Sequence, residues 1–143
     1  MNGDKPRIGF IGLGLMGHGI AKNLVSKGYP LTVLLHRNRG SAHDILAAGA
    51  KEAPSGAALA RTSDIVILCV TGSPQIEEIV YGDGSPMSGI LGAAREGLIV
   101  IDTSTAEPAS TAKIREDFAK KHTKYIDAPL ARTPKEEIGR AHV

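Results

Sequence analysis

The stretch Arg7-Ile8-Gly9-Phe10-Ile11-Gly12-Leu13-Gly14-Leu15-Met16-Gly17-His18-Gly19-Ile20-Ala21 decides the fold. An apolar run, Ile8 to Ile11, feeds directly into three glycines spaced Gly12-x-Gly14-x-x-Gly17. Helical periodicity follows at once, with Met16, Ile20 and Leu24 on one face and Ala21 and Val25 beside them. Gly28 supplies a helix stop and Pro30 blocks continuation. Strand, glycine turn and helix, in that order, are what a dinucleotide site requires. Gly12 permits the tight turn, Gly14 lets a pyrophosphate approach the backbone, and Gly17 lets the helix pack closely on the strand. The unpaired N–H groups and positive dipole end of that helix would face the phosphates.

Outward from this stretch the same alternation repeats. Leu31 to Leu35 is a continuous apolar run, as expected of a strand buried on both faces of a parallel sheet. Ser41-x-x-Asp44 resembles a capping box, opening a short helix that ends at Gly49. Residues 51–53 read as a short strand and Ser55 to Ala60 as one or two helical turns. Asp64 to Val70 is a strong strand. Ser73-Pro74 then reads as N-cap and first residue of a helix through Val80. Leu98 to Ile101 is another buried strand, ending at Asp102. Glu107-Pro108 opens a helix with Ile114 and Phe118 on its apolar face, and Lys120, Lys121 and His122 are expected in its last turn. Tyr125-Ile126-Asp127 is the last strand.

Strands alternating with helices predict an α/β fold with a doubly wound parallel sheet, the Rossmann dinucleotide-binding arrangement. Right-handed crossovers place the loop after each strand on one edge, and ligands bind outside those carboxyl ends. The informative residues are therefore Gly12 to Gly17, His36 to Arg39, Thr71 to Pro74, Thr103 to Thr105 and Ala128 to Thr133. An acid after the second strand would bond the ribose 2′-hydroxyl of NAD. Here Arg37, Asn38 and Arg39 stand in that place. Two guanidiniums can fork onto a 2′-phosphate, which an acid would repel, so the sequence favours NADP over NAD.

The 143 residues predict one domain, with 42% hydrophobic and 22% charged residues, the balance of an ordinary globular protein. Aromatics are only 3%, so the core rests on Ala, Val, Ile and Leu. A net charge of +2 without a basic run argues against a nucleic-acid partner. No apolar segment has the length of a membrane span and the N-terminus lacks a signal-peptide pattern, which predicts a cytoplasmic protein. Cys69 is the single cysteine and reads as a buried core thiol. Neither it nor the five histidines has metal-ligand spacing, so no metal is expected.

Four motifs narrow the reading. The Ile11-Gly12-Leu13-Gly14-Leu15-Met16-Gly17 turn resembles that of the β-hydroxyacid dehydrogenase family, relatives of 3-hydroxyisobutyrate dehydrogenase and tartronate semialdehyde reductase. Asp102-Thr103-Ser104-Thr105-Ala106-Glu107-Pro108 resembles that family's Asp-x-Ser-Thr-x-x-Pro motif, and Asp127-Ala128-Pro129 the start of its substrate segment. Val70-Thr71-Gly72-Ser73-Pro74 occupies the place of its cofactor loop. The resemblance implies reversible hydride transfer between a nicotinamide and a β-hydroxy acid, in a homo-oligomeric enzyme. It implies cofactor contacts from Gly12, Leu13, Gly14, Leu15, Met16, Gly17, Arg37, Asn38, Arg39, Val70, Thr71 and Thr105. Substrate contacts fall to Ser104, Ala131, Arg132 and Thr133. Arg132 departs from the small residues the family carries there; it either pairs with a substrate carboxylate or lies outside the pocket. The family's acid/base is a lysine in a later, all-helical domain, expected beyond this chain. An imine reductase-like enzyme and a non-catalytic nucleotide-binding module are the alternatives.

The sequence reading assigns residues 1–136 to the dinucleotide domain and 137–143 to a foreign tail. Ile138-Gly139-Arg140-Ala141-His142-Val143 is a translation of ATC GGA AGA GCA CAC GTC, the start of a widely used sequencing adapter, and Glu137 would be a hybrid codon. The source DNA read through this segment should show those codons; any other set removes the adapter explanation.

Overall fold

The computed structural model describes residues 5–35, 39–83, 88–104 and 106–128. The elements follow one another as strand and helix. They are β1 (Ile8–Ile11), α1 (Leu15–Ser26), β2 (Leu31–Leu34), α2 (His43–Ala47), β3 (Lys51–Glu52), α3 (Gly56–Arg61), β4 (Ile65–Leu68), α4 (Ser73–Tyr81), α5 (Ile90–Ala93), β5 (Ile99–Asp102), α6 (Pro108–Ala119) and β6 (Lys124–Asp127). A 3₁₀ turn, Arg39–Ala42, precedes α2. All neighbouring strands pair in parallel, in the order β3-β2-β1-β4-β5-β6. This is the doubly wound order, with its reversal between β1 and β4.

The sheet has a core on each face. On one, Ile8, Phe10, Leu31 and Val33 pack with Ala21 of α1 and Ile45 of α2. On the other, Ile11, Val66, Leu68 and Val100 pack with Leu59, Ile76, Val80, Ile90, Ile114 and Phe118 from α3, α4, α5 and α6. Alternate residues of one strand thus serve different cores, which explains continuous apolar runs rather than an alternating pattern. Three aromatic rings meet the second face: Phe118 and Tyr125 within the core and Tyr81 packed against it. Phe118 stacks on Tyr125 with centroids 5.7 Å apart, joining α6 to β6.

Local chemistry sets most boundaries. Helix α1 ends in a Schellman-type turn: Tyr29 N–H donates to Leu24 O at 3.2 Å, and Gly28 takes φ +89°. Ser55 caps α3, its hydroxyl accepting from Ala58 N at 3.1 Å. Three expectations change. Ala42, not Ser41, is the N-cap of α2, and no side chain caps that helix. The Asp44 carboxylate turns instead to His18 Nε2 at 2.9 Å and Lys22 Nζ at 3.4 Å. Helix α4 starts one residue earlier than expected, with Gly72 as N-cap, because the Ser73 hydroxyl is engaged by Glu107 N at 2.9 Å. Lys120, Lys121 and His122 follow α6 rather than closing its last turn; Lys120 is the C-cap and His122 takes φ 57°.

A polar cluster ties α4 to α6. Tyr81 donates its hydroxyl hydrogen to Asp117 Oδ2 at 2.6 Å, and Lys113 Nζ donates to the same oxygen at 3.1 Å. The Tyr81 hydroxyl and then Lys113 hold the Asp117 carboxyl below the usual carboxylate range. A carboxyl depressed in the folded state stabilises above its unfolded pKa, and the contribution is lost as pH falls through the folded value. Tyr81→Phe should lower the urea-unfolding free energy by about 1 kcal/mol at neutral pH. The gap between parent and variant should narrow as pH falls below the ordinary aspartate value of about 3.9 and on through the lower value of the folded state.

Candidate functional site

The site starts with the turn that ends β1. Gly12 adopts φ +110°, and a Cβ there would lie 2.0 Å from the Cys69 carbonyl oxygen. A Cβ on Gly17 would lie 1.8 Å from the Gly12 carbonyl oxygen. Only glycine at both places lets α1 start flush against the strand end. Gly14 differs: it is exposed, and a Cβ built on it meets no atom within 4 Å. It is the N-cap of α1, with no side chain capping the helix. No side chain therefore takes up the first-turn N–H groups, and the space beside Gly14 is open, the arrangement that receives an anion.

That space is a cleft of about 690 Å³, within the range of small-molecule sites. Ile11, Gly12, Leu13, Gly14, Met16 and Gly17 form one side, and Leu34 and Leu35 at the end of β2 form another. Cys69, Val70 and Thr71 follow β4, and Gln75, Glu78 and Ile79 come from α4. The cleft thus lies at the carboxyl edge, where the strand order reverses. Glu78 is its one charged lining side chain among the described residues. An anion here would be met by the N-terminus of α1.

The structure brings together Gly12, Leu13, Gly14, Met16, Gly17, Val70 and Thr71 of the sequence-derived set. Leu15 begins α1. Arg37, Asn38, Thr105, Ala131, Arg132 and Thr133 lie outside the described residues, as does the Arg39 side chain. The His18–Asp44 pair holds α1 to α2, and His18, then Lys22, draws the Asp44 carboxyl below its usual range.

Cys69 is only partly buried and lines the cleft, against the expectation of a core thiol. The apolar run around it concealed this, because the strand ends at Leu68 and Cys69 already belongs to the loop. Gln75, Glu78 and Ile79 were missed. Their i, i+3, i+4 spacing marks one helical face beside the buried Ile76 and Val80, with Ile79 at the border touching both core and cleft, a signal readable in the sequence.

Behind the cleft lies a buried polar network. Asp102, at the end of β5, is 0% exposed. Its Oδ1 accepts from Ser104 N at 2.9 Å, and its Oδ2 accepts from the Tyr125 hydroxyl. Burial and the neighbouring Asp102 push the Tyr125 hydroxyl far above the ordinary tyrosine pKa. Ser104 is also buried, and its hydroxyl oxygen accepts from Val70 N at 2.8 Å. Thr103 Oγ1 donates to Leu68 O at 2.7 Å. Among the described residues no group of histidine, cysteine and acidic side chains could hold a metal, and no helix is long and apolar enough to cross a membrane.

This cleft, on this strand order, defines a nucleotide-binding α/β domain. Residues 7–137 match the family described as the NAD binding domain of 6-phosphogluconate dehydrogenase, and the chain belongs to that family. Among curated relatives, an uncharacterized oxidoreductase, YkwC, of Bacillus subtilis is 34% identical over 89% of this chain and 42% of its own length. Mitochondrial 3-hydroxyisobutyrate dehydrogenase of Mus musculus is 33% identical over 90% of this chain and 37% of its own. Psf3, solved in complex with NADP+ and 2-OPP, superposes with a TM-score of 0.81 at 30% identity, over 92% of this chain and 45% of its own. The chain thus spans less than half the length of these relatives.

The two kinds of glycine should separate in experiment. Gly17→Ala forces Cβ into the Gly12 carbonyl and should cost roughly 1–3 kcal/mol of stability. Gly14→Ala should stay within about 1 kcal/mol of the parent in chemical denaturation, yet weaken dinucleotide binding about tenfold or more, a difference of about 1.4 kcal/mol.

Proposed function

We propose that this chain is the NADP-binding domain of an oxidoreductase that moves hydride between a nicotinamide and a β-hydroxy acid. The observation that carries the reading is the cleft itself: an uncapped helix start and an unobstructed Gly14, set at the point where the strand order reverses. The residues fit a dinucleotide, because backbone N–H groups converge where its pyrophosphate must cross the sheet. The bound nicotinamide supplies the hydride acceptor or donor, and this domain supplies binding and orientation. Gly12 to Gly17 hold the pyrophosphate. Leu34, Leu35 and Ile79 offer an apolar seat, and Val70 and Thr71 form the opposite wall.

Preference for NADP rests on Arg37, Asn38 and Arg39, in the sequence position where an acid would select NAD. The β-hydroxy acid rests on the family's Asp102-x-Ser104-Thr105 and Asp127-Ala128-Pro129 motifs, and on relatives such as 3-hydroxyisobutyrate dehydrogenase. Thr105 faces the nicotinamide, and Ala131, Arg132 and Thr133 take the substrate carboxylate. The acid/base lysine belongs to the remainder of the parent enzyme.

Titration with NADPH and NADH, followed by nicotinamide fluorescence, should give the tighter constant for NADPH. Equal or tighter binding of NADH overturns the NADP assignment. Arg37→Glu should weaken NADPH by ten- to a hundredfold, the loss of about 1.4–2.8 kcal/mol, and reverse the preference.

A further inference from the structure

We propose that Asp102 and Tyr125 are positioning residues for the nicotinamide half of the cofactor site, acting through Ser104 on the backbone amide of Val70. This rests on the cofactor reading above and assigns a role to groups that touch no part of the cleft.

The observation is a relay that starts deep in the domain and ends at the cleft wall. Tyr125, on β6, donates its hydroxyl hydrogen to Asp102, and Asp102 holds the Ser104 backbone N–H at 2.9 Å. The Ser104 hydroxyl then accepts from Val70 N at 2.8 Å. Val70 lines the cleft facing the glycine turn; a Cβ on Gly12 would come within 3.0 Å of its Cγ1. Two further bonds lace the same loops together, Thr103 Oγ1 to Leu68 O and Glu107 N to Ser73 Oγ. The loop after β4 therefore takes its shape from the loop after β5.

A carboxyl fully removed from water, with no cationic partner among the described residues, is a costly way to end a strand. Well-packed apolar residues of similar size usually do as well or better for stability alone. What an apolar side chain cannot do is fix the direction of an N–H group. Asp102 fixes Ser104, and Ser104 fixes Val70. The Val70 amide is consumed by this bond, so its contribution to a ligand is the placement of the wall rather than a contact.

The position of that wall names the half of the ligand concerned. A dinucleotide lies across the reversal of strand order, with one mononucleotide on each half of the sheet. The β1-β2-β3 half carries the glycine turn and the Arg37 to Arg39 segment, which suit the adenosine phosphate. The relay belongs wholly to the β4-β5-β6 half.

Ser104→Ala removes the bond to Val70. Tyr125→Phe removes one hydroxyl and keeps the ring stacked on Phe118. Each variant is titrated with NADPH and with adenosine 2′,5′-bisphosphate, which occupies the adenosine half alone. The expected result is NADPH weakened about five- to tenfold by Ser104→Ala and about threefold by Tyr125→Phe, with the bisphosphate within twofold of the parent in both. A merely structural loss moves both ligands in parallel. Parallel weakening, or no change in NADPH affinity, overturns the proposal. If Ser104→Ala does not fold, Tyr125→Phe decides by the same comparison. A parent chain that binds neither nucleotide overturns the cofactor reading and this proposal with it; one that binds both leaves the variants to overturn the proposal alone.

Discussion

Everything in this domain depends on how closely α1 approaches the end of β1. The Gly12 carbonyl oxygen occupies the space where a Cβ on Gly17 would stand, and the Cys69 carbonyl oxygen does the same to Gly12. Those two contacts seat the helix start directly over the strand end. They also bring the loop after β4 against the turn. The helix can then present its free N–H groups to a cleft rather than to a capping side chain, and Gly14 keeps the approach open. A single methyl at Gly12 or Gly17 would force these loops apart, which is why backbone geometry, more than any side-chain contact, defines the site.

The sheet order translates that local contact into a site. Because β1 sits between β2 and β4, crossovers leave it in opposite directions, with α1 and α2 on one face and α3 to α6 on the other. At the reversal the start of α1 and one face of α4 flank the carboxyl ends of β1 and β4. The cleft is what remains there, floored by backbone and walled by Leu34, Val70 and Ile79. Among the described residues its side chains carry little charge, Glu78 being the one charged group in the lining.

The sequence exposed the elements and the glycine turn because both rest on local rules. Apolar runs of strand length, Gly28 and Ser55 are read by their neighbours alone, and each of them fits its place in the structure. What was hidden depends on partners far along the chain. Ser41 and Asp44 have the spacing of a capping box, but Asp44 finds a stronger set of donors on α1. Ser73 reads as an N-cap, but its hydroxyl is taken by Glu107. Cys69 sits in an apolar run yet lies one residue past the end of β4. The Asp102–Tyr125 contact is invisible to any periodicity, since only the parallel register Val100↔Tyr125 brings the two side chains together. Gln75, Glu78 and Ile79 carried a helical-face signal, but deciding which face met the cleft required the packing of Ile76 and Val80.

The register of β1 has a further consequence, for the order in which the molecule closes. Ile8 pairs with Leu31 on one side through a single helical crossover, and with Ile65 on the other only after two more strands have been made. The second pairing closes a much longer loop, and contacts of that kind form late because the chain entropy is lost before the contact returns anything. The cleft runs along the seam between these two events. A nucleotide lying across it would act as a strap between an early half and a late half. It would hold the seam shut with a free energy that rises with the logarithm of its concentration.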